Sequence, residues 1–242
     1  MENKNKYKKK YLDLKKSLKQ FGGNPNLFVI GIAGASGCGK TFFAQAIKEK
    51  LETDGFIGVE LISCDNYYKS YIDNLGRNIK APNDYNWDVP NVLDLDLLAE
   101  HIQDLKDRKP VNIPKYNFGT SQREGIEKTI YGNNTKILIV EGLFVLFDEN
   151  LRNKFDLKIF TLLDSDICLA RRLTRDVEER GKSFADTIKQ YQLHVKPSYV
   201  NYIEPTKRFA DLIISTSEFS DTKKSIDIIG TFIQKNQNQI QN

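Results

Sequence analysis

The chain has 242 residues, of which 40% are hydrophobic and 28% charged, enough apolar material for one domain core under an ordinary polar surface. Its net charge of +4 comes from 36 basic and 32 acidic residues, yet eight lysines fall in the first twenty positions against Glu2 and Asp13, leaving 28 basic and 30 acidic residues beyond. That balance argues against a nucleic-acid-binding body, and no apolar run nears the ~20 residues of a membrane helix, so neither nucleic acid nor a stable membrane contact is expected.

The lysine-rich arm, residues 1–26, carries Tyr7, Tyr11, Leu14, Leu18 and Phe21 at helical spacing. It reads as an amphipathic stripe that docks on the domain or a sister subunit, with a solvated arm or an anionic contact as alternatives. No signal peptide is expected, because these residues lack an apolar core segment. Cys38, Cys64 and Cys168 are sparse and lack metal spacing, which suits a cytoplasmic location.

An apolar run at 27–33 reads as a buried strand and is followed by Gly34-Ala35-Ser36-Gly37-Cys38-Gly39-Lys40-Thr41. This fits the phosphate-binding pattern G-x-x-x-x-G-K-[ST] at every required position. Phe42, Phe43, Ala46, Ile47 and Leu51 then recur at helical spacing. Strand, glycine loop and helix together predict a nucleoside triphosphate site: loop N–H groups and the helix N-terminus face the phosphates, Lys40 reaches the β- and γ-phosphates, and Thr41 ligates Mg2+.

Val59–Ser63 is a second strand, ending at Asp65. Residues 66–91 read as a polar, aromatic lid, and 94–106 as a helix. Val111–Ile113 and Gly125–Tyr131 read as a small β-flap, so that 66–131 form a lid and flap. Asn133-Asn134-Thr135 reads as a turn. Residues 136–142 read as a buried strand ending in Glu141, and 157–163 as another. A helix capped by Asp164 or Ser165 runs to about Arg180, a further helix spans about 184–192, and a last strand at 211–215 precedes a closing helix and a frayed tail at 237–242. Near-continuous apolar strands alternating with helices predict an α/β fold, a doubly wound parallel sheet of phosphate-loop kinase type, over 27–236.

Ligands of such sheets sit beyond the carboxyl ends of the strands. Glu141 stands there as a metal-shell carboxylate or as the start of a loop. Asp65 stands there as a general base for an alcohol or as a turn-capping residue. Arg171, Arg172, Arg175 and Arg180 share helix faces, either to clamp polyphosphate or to pair with Asp176, Glu178 and Glu179. Asn153-Lys154-Phe155-Asp156 spells a guanine-reading motif and Asp73-Asn74-Leu75-Gly76 a second switch motif, but both sit at the wrong place relative to a strand and read as chance.

Over most of 27–216 the chain resembles the uridine kinase (uridine–cytidine kinase) family. The likeness rests on the loop at 31–41, Ser63-Cys64-Asp65-Asn66-Tyr67-Tyr68-Lys69, Asn86-Trp87-Asp88-Val89-Pro90, Ile113-Pro114-Lys115-Tyr116-Asn117-Phe118 and Val140-Glu141-Gly142. Its most selective parts are Arg171-Arg172-Leu173-Thr174-Arg175-Asp176-Val177-Glu178-Glu179-Arg180-Gly181 and Gln190-Tyr191 followed by Val195-Lys196-Pro197. The resemblance implies transfer of the γ-phosphate of ATP or GTP, with Mg2+, to the 5′-hydroxyl of uridine or cytidine. It implies a homo-oligomer as well. By motif match Asp65 is the base, Asp88 binds the ribose hydroxyls, and Tyr116 and Phe118 flank the base. Arg172 and Gln190 touch the nucleoside, and Arg175 and Arg180 the phosphates. The chain carries Ser121 where the family has a base-reading histidine, Lys182 where arginine is frequent, and Trp87 where tyrosine or phenylalanine stacks. Kinases of other small alcohols, such as ribulose 5-phosphate or pantothenate, and a non-catalytic nucleotide switch are the competing readings.

Overall fold

In the structure, a computed structural model, residues 27–82 and 84–236 are described. The expectations for the arm at 1–26 and the tail at 237–242 lie outside them.

Five parallel strands form the main sheet: β1 (Phe28–Gly34), β2 (Val59–Ser63), β5 (Ile137–Glu141), β6 (Leu157–Leu162) and β7 (Leu212–Ser215). Their order across the sheet is β2-β5-β1-β6-β7. Every residue of β1 and β5 is buried, as a sheet covered on both faces requires. Side-chain alternation divides the interior into two cores. Val29, Ala33, Leu138 and Val140 face one core with α2 (Leu95–Lys106). Phe28, Ile30, Ile32, Ile137 and Ile139 face the other, with α1 (Lys40–Thr53) and α5 (Phe219–Asn236). Gly31 is needed in this packing, because a Cβ there would stand 2.7 Å from the ring of Phe155. On α1 it is Phe43, Ala44, Ile47 and Leu51 that turn inward, while Phe42 is exposed.

Two further strands, β3 (Pro110–Asn117) and β4 (Gln122–Tyr131), form a separate antiparallel hairpin, longer than the expected flap. The register shifts on either side of Pro114, which has no N–H for the ladder. That proline hides the second half of the strand from a reading by alternation alone.

The arginine-rich helix α3 spans Ser165–Glu178, two residues short of the expected end. Asp164 occupies its N-cap position without a side-chain bond to the helix. Helix α4 (Phe184–Gln190) does not stop near 192. The chain continues helically through π-type turns at Tyr191–Val195 and Tyr199–Ile203 and a 3-10 stretch, Glu204–Phe209. Pro197 sits between the two π-type turns. A proline cannot donate within a regular helix and clashes with the carbonyl four residues before it, so a wider turn lets the run continue. No described helix is long and apolar enough to cross a membrane.

Candidate active site

Strand order brings the chemistry together. The ends of β2, β5 and β1 carry Asp65, Glu141 and the glycine loop side by side, with Ser63 in register with Glu141 and Glu141 with Ile32. At about 4.8 Å per strand step, Asp65 stands roughly 10 Å from the loop across the sheet. A cleft of about 890 Å³ opens over these ends and receives residues from the glycine loop and from the segments around Asp65, Asp88, Tyr116, Glu141, Arg172 and Gln190, whereas Val195-Lys196-Pro197 lies outside it.

Its floor is the loop. Ser36, Gly37, Gly39, Lys40 and Thr41 face the cleft, whereas Gly34, Ala35 and Cys38 stand behind it. The Cys38 thiol is fully buried 3.0 Å from the Thr161 hydroxyl, and Thr216 donates to the Cys38 carbonyl at 2.6 Å. Gly37 and Gly39 have φ of 82° and 88°. A side chain on Gly37 would also run into the Cys168 carbonyl, so the wall behind the loop fixes its path. Lys40 is buried and its ammonium donates to the Ala35 carbonyl at 2.8 Å.

Glu141 is buried at the head of the loop, where it accepts from the hydroxyls of Thr41 (3.2 Å) and Ser63 (2.8 Å). Burial, reinforced by Asp65, pushes its carboxyl above the ordinary value, while Lys40 and the two hydroxyls oppose the shift. One carboxylate with neighbouring hydroxyls is an all-oxygen donor set of the kind that holds Mg2+ together with substrate phosphates. Because burial disfavours the charged carboxylate, Glu141→Gln should raise the melting temperature of the ligand-free protein at neutral pH. The sign follows from linkage. A raised folded-state pKa makes the native state hold its proton more tightly, so stability from this group falls as pH rises from the ordinary 4.5 through the raised value. Melting curves across that window should flatten in the variant, and a melting temperature that drops would contradict the account.

Across the cleft, Asp65 lines it from a 3-10 turn, Cys64–Tyr67, capped by Ser63, whose Oγ accepts from the Asp65 N–H at 3.3 Å. Asp88 is 5% exposed and 3.9 Å from Arg172. Burial raises its carboxyl pKa, and Arg172 is the chief opposing charge. Beyond it an aromatic group closes the cleft: Tyr68 lies 5.3 Å from Tyr116, 5.8 Å from Phe118 and 5.7 Å from Trp87 between ring centres. Ser121 is buried at the foot of the hairpin tip with φ 61°, its N–H donating to the Asn117 carbonyl. Burial holds the Tyr116 hydroxyl up at about 12.

The basic wall comes from α3 and the turn after it. Arg172 is buried and donates to Ser36 Oγ (2.8 Å) and Gln190 Oε1 (3.2 Å), and Lys182 also donates to Gln190 (3.0 Å). The pairing reading of the arginine cluster holds for Asp176 alone of the three acids. Arg172, Arg175 and Arg180 line the cleft, and all three pair with Asp176, whereas Glu178 and Glu179 take no ion pair among the described residues.

Two residues that sequence reasoning did not single out, Arg123 and His194, also shape the site, as does Asp176, which it named only as a pairing partner of the arginines. Arg123 on β4 donates to the carbonyls of Tyr67 and Tyr68, each at 2.8 Å, and to Asp94 at 3.2 Å, clamping the turn beside Asp65. His194 donates to the Asp84 carbonyl at 3.1 Å and ties the lid to the helical run. Asp176 lies at the centre of the basic wall. Neither Arg123 nor His194 carries a local signal, because each acts on residues distant in sequence, whereas Asp176 pairs with its near neighbours Arg172, Arg175, Arg180 and Lys182. The two decoy motifs lie elsewhere: Asp156 accepts from the Val29 N–H at 2.8 Å, and Asp73 folds an exposed turn onto Arg77.

Comparison with known proteins identifies the family. The profile of the "Phosphoribulokinase / Uridine kinase family" matches residues 29–223. A protein named uridine kinase from Lactobacillus johnsonii is 42% identical over 206 residues, 85% of this chain and 93% of its own. The uridine-cytidine kinase A of Dictyostelium discoideum is 38% identical over 213 residues, 88% of this chain and 40% of its own. Among solved structures, one described as a possible uridine kinase from Bacillus stearothermophilus superposes with a TM-score of 0.56 at 18% identity, covering 83% of this chain and 98% of its own.

Proposed function

The chain belongs to the phosphoribulokinase/uridine kinase family, and from that premise we propose that it is a nucleoside kinase of pyrimidine salvage, passing the γ-phosphate of ATP (or GTP) to the 5′-hydroxyl of uridine or cytidine. One observation carries the reading: a single cleft has the glycine loop with Lys40 on one side and, across it, Asp65 with a buried carboxylate and an aromatic group behind.

The triphosphate lies along the loop, where Lys40 exchanges the Ala35 carbonyl for phosphate oxygens. Thr41 and Glu141 are the residues that would hold Mg2+, which when bound offsets phosphate charge. Asp88 accepts from the ribose hydroxyls, since an ionised carboxylate offers only acceptors to two donors. Tyr116 and Phe118 hold the base, and Arg172 and Gln190 border it. As the 5′-oxygen attacks the γ-phosphorus and the bond to the leaving ADP breaks, Asp65 takes the hydroxyl proton. Arg175 and Arg180 meet the charge that builds on the moving phosphoryl group. Residues 27–236 form this kinase unit, with 66–131 as its acceptor lid and flap.

The test is coupled ADP release with ATP or GTP against a panel of nucleosides, ribulose 5-phosphate and pantothenate. Turnover with uridine or cytidine is the expected result. Turnover with only a phosphorylated sugar or pantothenate would reassign the acceptor, and no acceptor dependence would favour a nucleotide switch. Ser121 sets a further expectation. Its left-handed backbone is one that histidine adopts more readily than most residues. Ser121→His should change the ratio of uridine to cytidine kcat/KM by at least about threefold, roughly the weight of one modest hydrogen bond. An unchanged ratio would mean the position does not see the base.

A further inference from the structure

The carboxylate of Asp176 is 0% exposed, yet it belongs to the last turn of α3, where the carbonyl end of a helix disfavours negative charge. Burial there is costly unless cations offset it. Four do. Arg175 donates through both Nε (3.0 Å) and Nη2 (2.8 Å) to Oδ1, and Arg180 approaches the same oxygen at 3.3 Å. On the other side Arg172 Nε lies 3.4 Å and Lys182 Nζ 4.0 Å from Oδ2. Neither Oδ2 nor Arg172 Nε has a hydrogen-bond partner among the described residues. One carboxylate therefore gathers four positive groups that would otherwise repel one another, and leaves the cluster with a surplus of positive charge toward the cleft.

We propose that Asp176 is the positioning residue of this site: an internal counter-anion that holds Arg172, Arg175, Arg180 and Lys182 in their working arrangement before any phosphate arrives. The proposal rests on the kinase reading above. Arg172 extends the effect in two directions, because the guanidinium beside Asp176 also bonds Ser36 on the phosphate loop and stands 3.9 Å from Asp88 in the acceptor pocket. A fixed Arg172 thus sets the two substrate sides relative to each other. Preorganised charge is worth most when it needs no rearrangement at the moment of reaction. The same carboxylate competes with phosphate oxygens for Arg175 and Arg180, which moderates anion affinity and favours release of products.

Two effects of opposite sign follow from Asp176→Asn. The amide keeps the volume but turns an N–H toward Arg172 or Lys182, so the arrangement loosens, while the cluster gains one unit of positive charge. Turnover with the preferred nucleoside should fall at least tenfold. The Kd for inorganic tripolyphosphate, measured by calorimetry without nucleoside, should stay within threefold or tighten, with a steeper dependence on salt. Every other combination overturns the proposal; in particular, parallel loss of turnover and anion binding would mark Asp176 as structural only. If Asp176→Asn does not fold, Asp176→Glu, which keeps the charge and displaces it by one methylene, should lower turnover at least tenfold with the tripolyphosphate Kd within threefold and its salt dependence unchanged, and parallel loss of both overturns the proposal. If the wild-type protein phosphorylates no nucleoside, the kinase reading fails and the tripolyphosphate arm decides alone: affinity held with a steeper salt dependence supports Asp176 in this role, and weaker binding overturns it.

Discussion

Asp65→Asn should abolish nucleoside-dependent ADP release while leaving ATP binding intact. The substitution is isosteric, and the backbone N–H of residue 65, which donates to Ser63 Oγ, is untouched. The turn is held independently by Arg123 on the carbonyls of Tyr67 and Tyr68. What disappears is an acceptor for the hydroxyl proton. Removing a general base costs about 10²–10⁴ in rate. The loss should fall on kcat, since the glycine loop proposed to hold the triphosphate follows β1, on the far side of β5 and its Glu141. Steady-state kinetics with a separate measurement of ATP affinity check both halves. Turnover within threefold of wild type would remove Asp65 as the base, and lost ATP binding would mean that the two sides of the cleft are not independent.

Lys40→Met should be equally severe for a different reason. The lysine stem is buried and methionine fills it with little change in volume, so the fold should persist. The lost ammonium now rests 2.8 Å from the Ala35 carbonyl, a resting partner that can be exchanged for phosphate. Deleting one preorganised positive donor from the reacting phosphate costs about 10²–10³ in kcat, and ATP binding should weaken as well. Activity within tenfold of wild type in the folded variant would mean that the triphosphate does not lie along this loop.

Much of the site was legible in the sequence because its parts are local. The glycine loop brings its own strand and helix, and the acids at 65 and 141 follow apolar runs whose burial is the simplest pattern to read. The hidden parts are those that act at a distance. Arg123 reaches carbonyls 55 and 56 positions away. Asp176 acts on near neighbours but looks in sequence like one of three acids beside arginines, and only its burial and ion pairs separate it from Glu178 and Glu179. The helical run to Phe209 was obscured by Pro197 and Pro205, which ordinarily mark an end, and Pro114 obscured half of β3 in the same way. A breaker ordinarily marks a boundary, and here the chain instead changes its turn or register.

The Arg123 clamp has a mechanical consequence. It joins the hairpin to the segment bearing Asp65, so the acceptor half of the cleft behaves as a fixed anvil. Closure around bound substrates then has to come from the opposing jaw, the stretch from α3 into α4, which His194 links to the lid at Asp84. Amide exchange should accordingly slow most at 171–194 when both substrates are present, and little at 64–68.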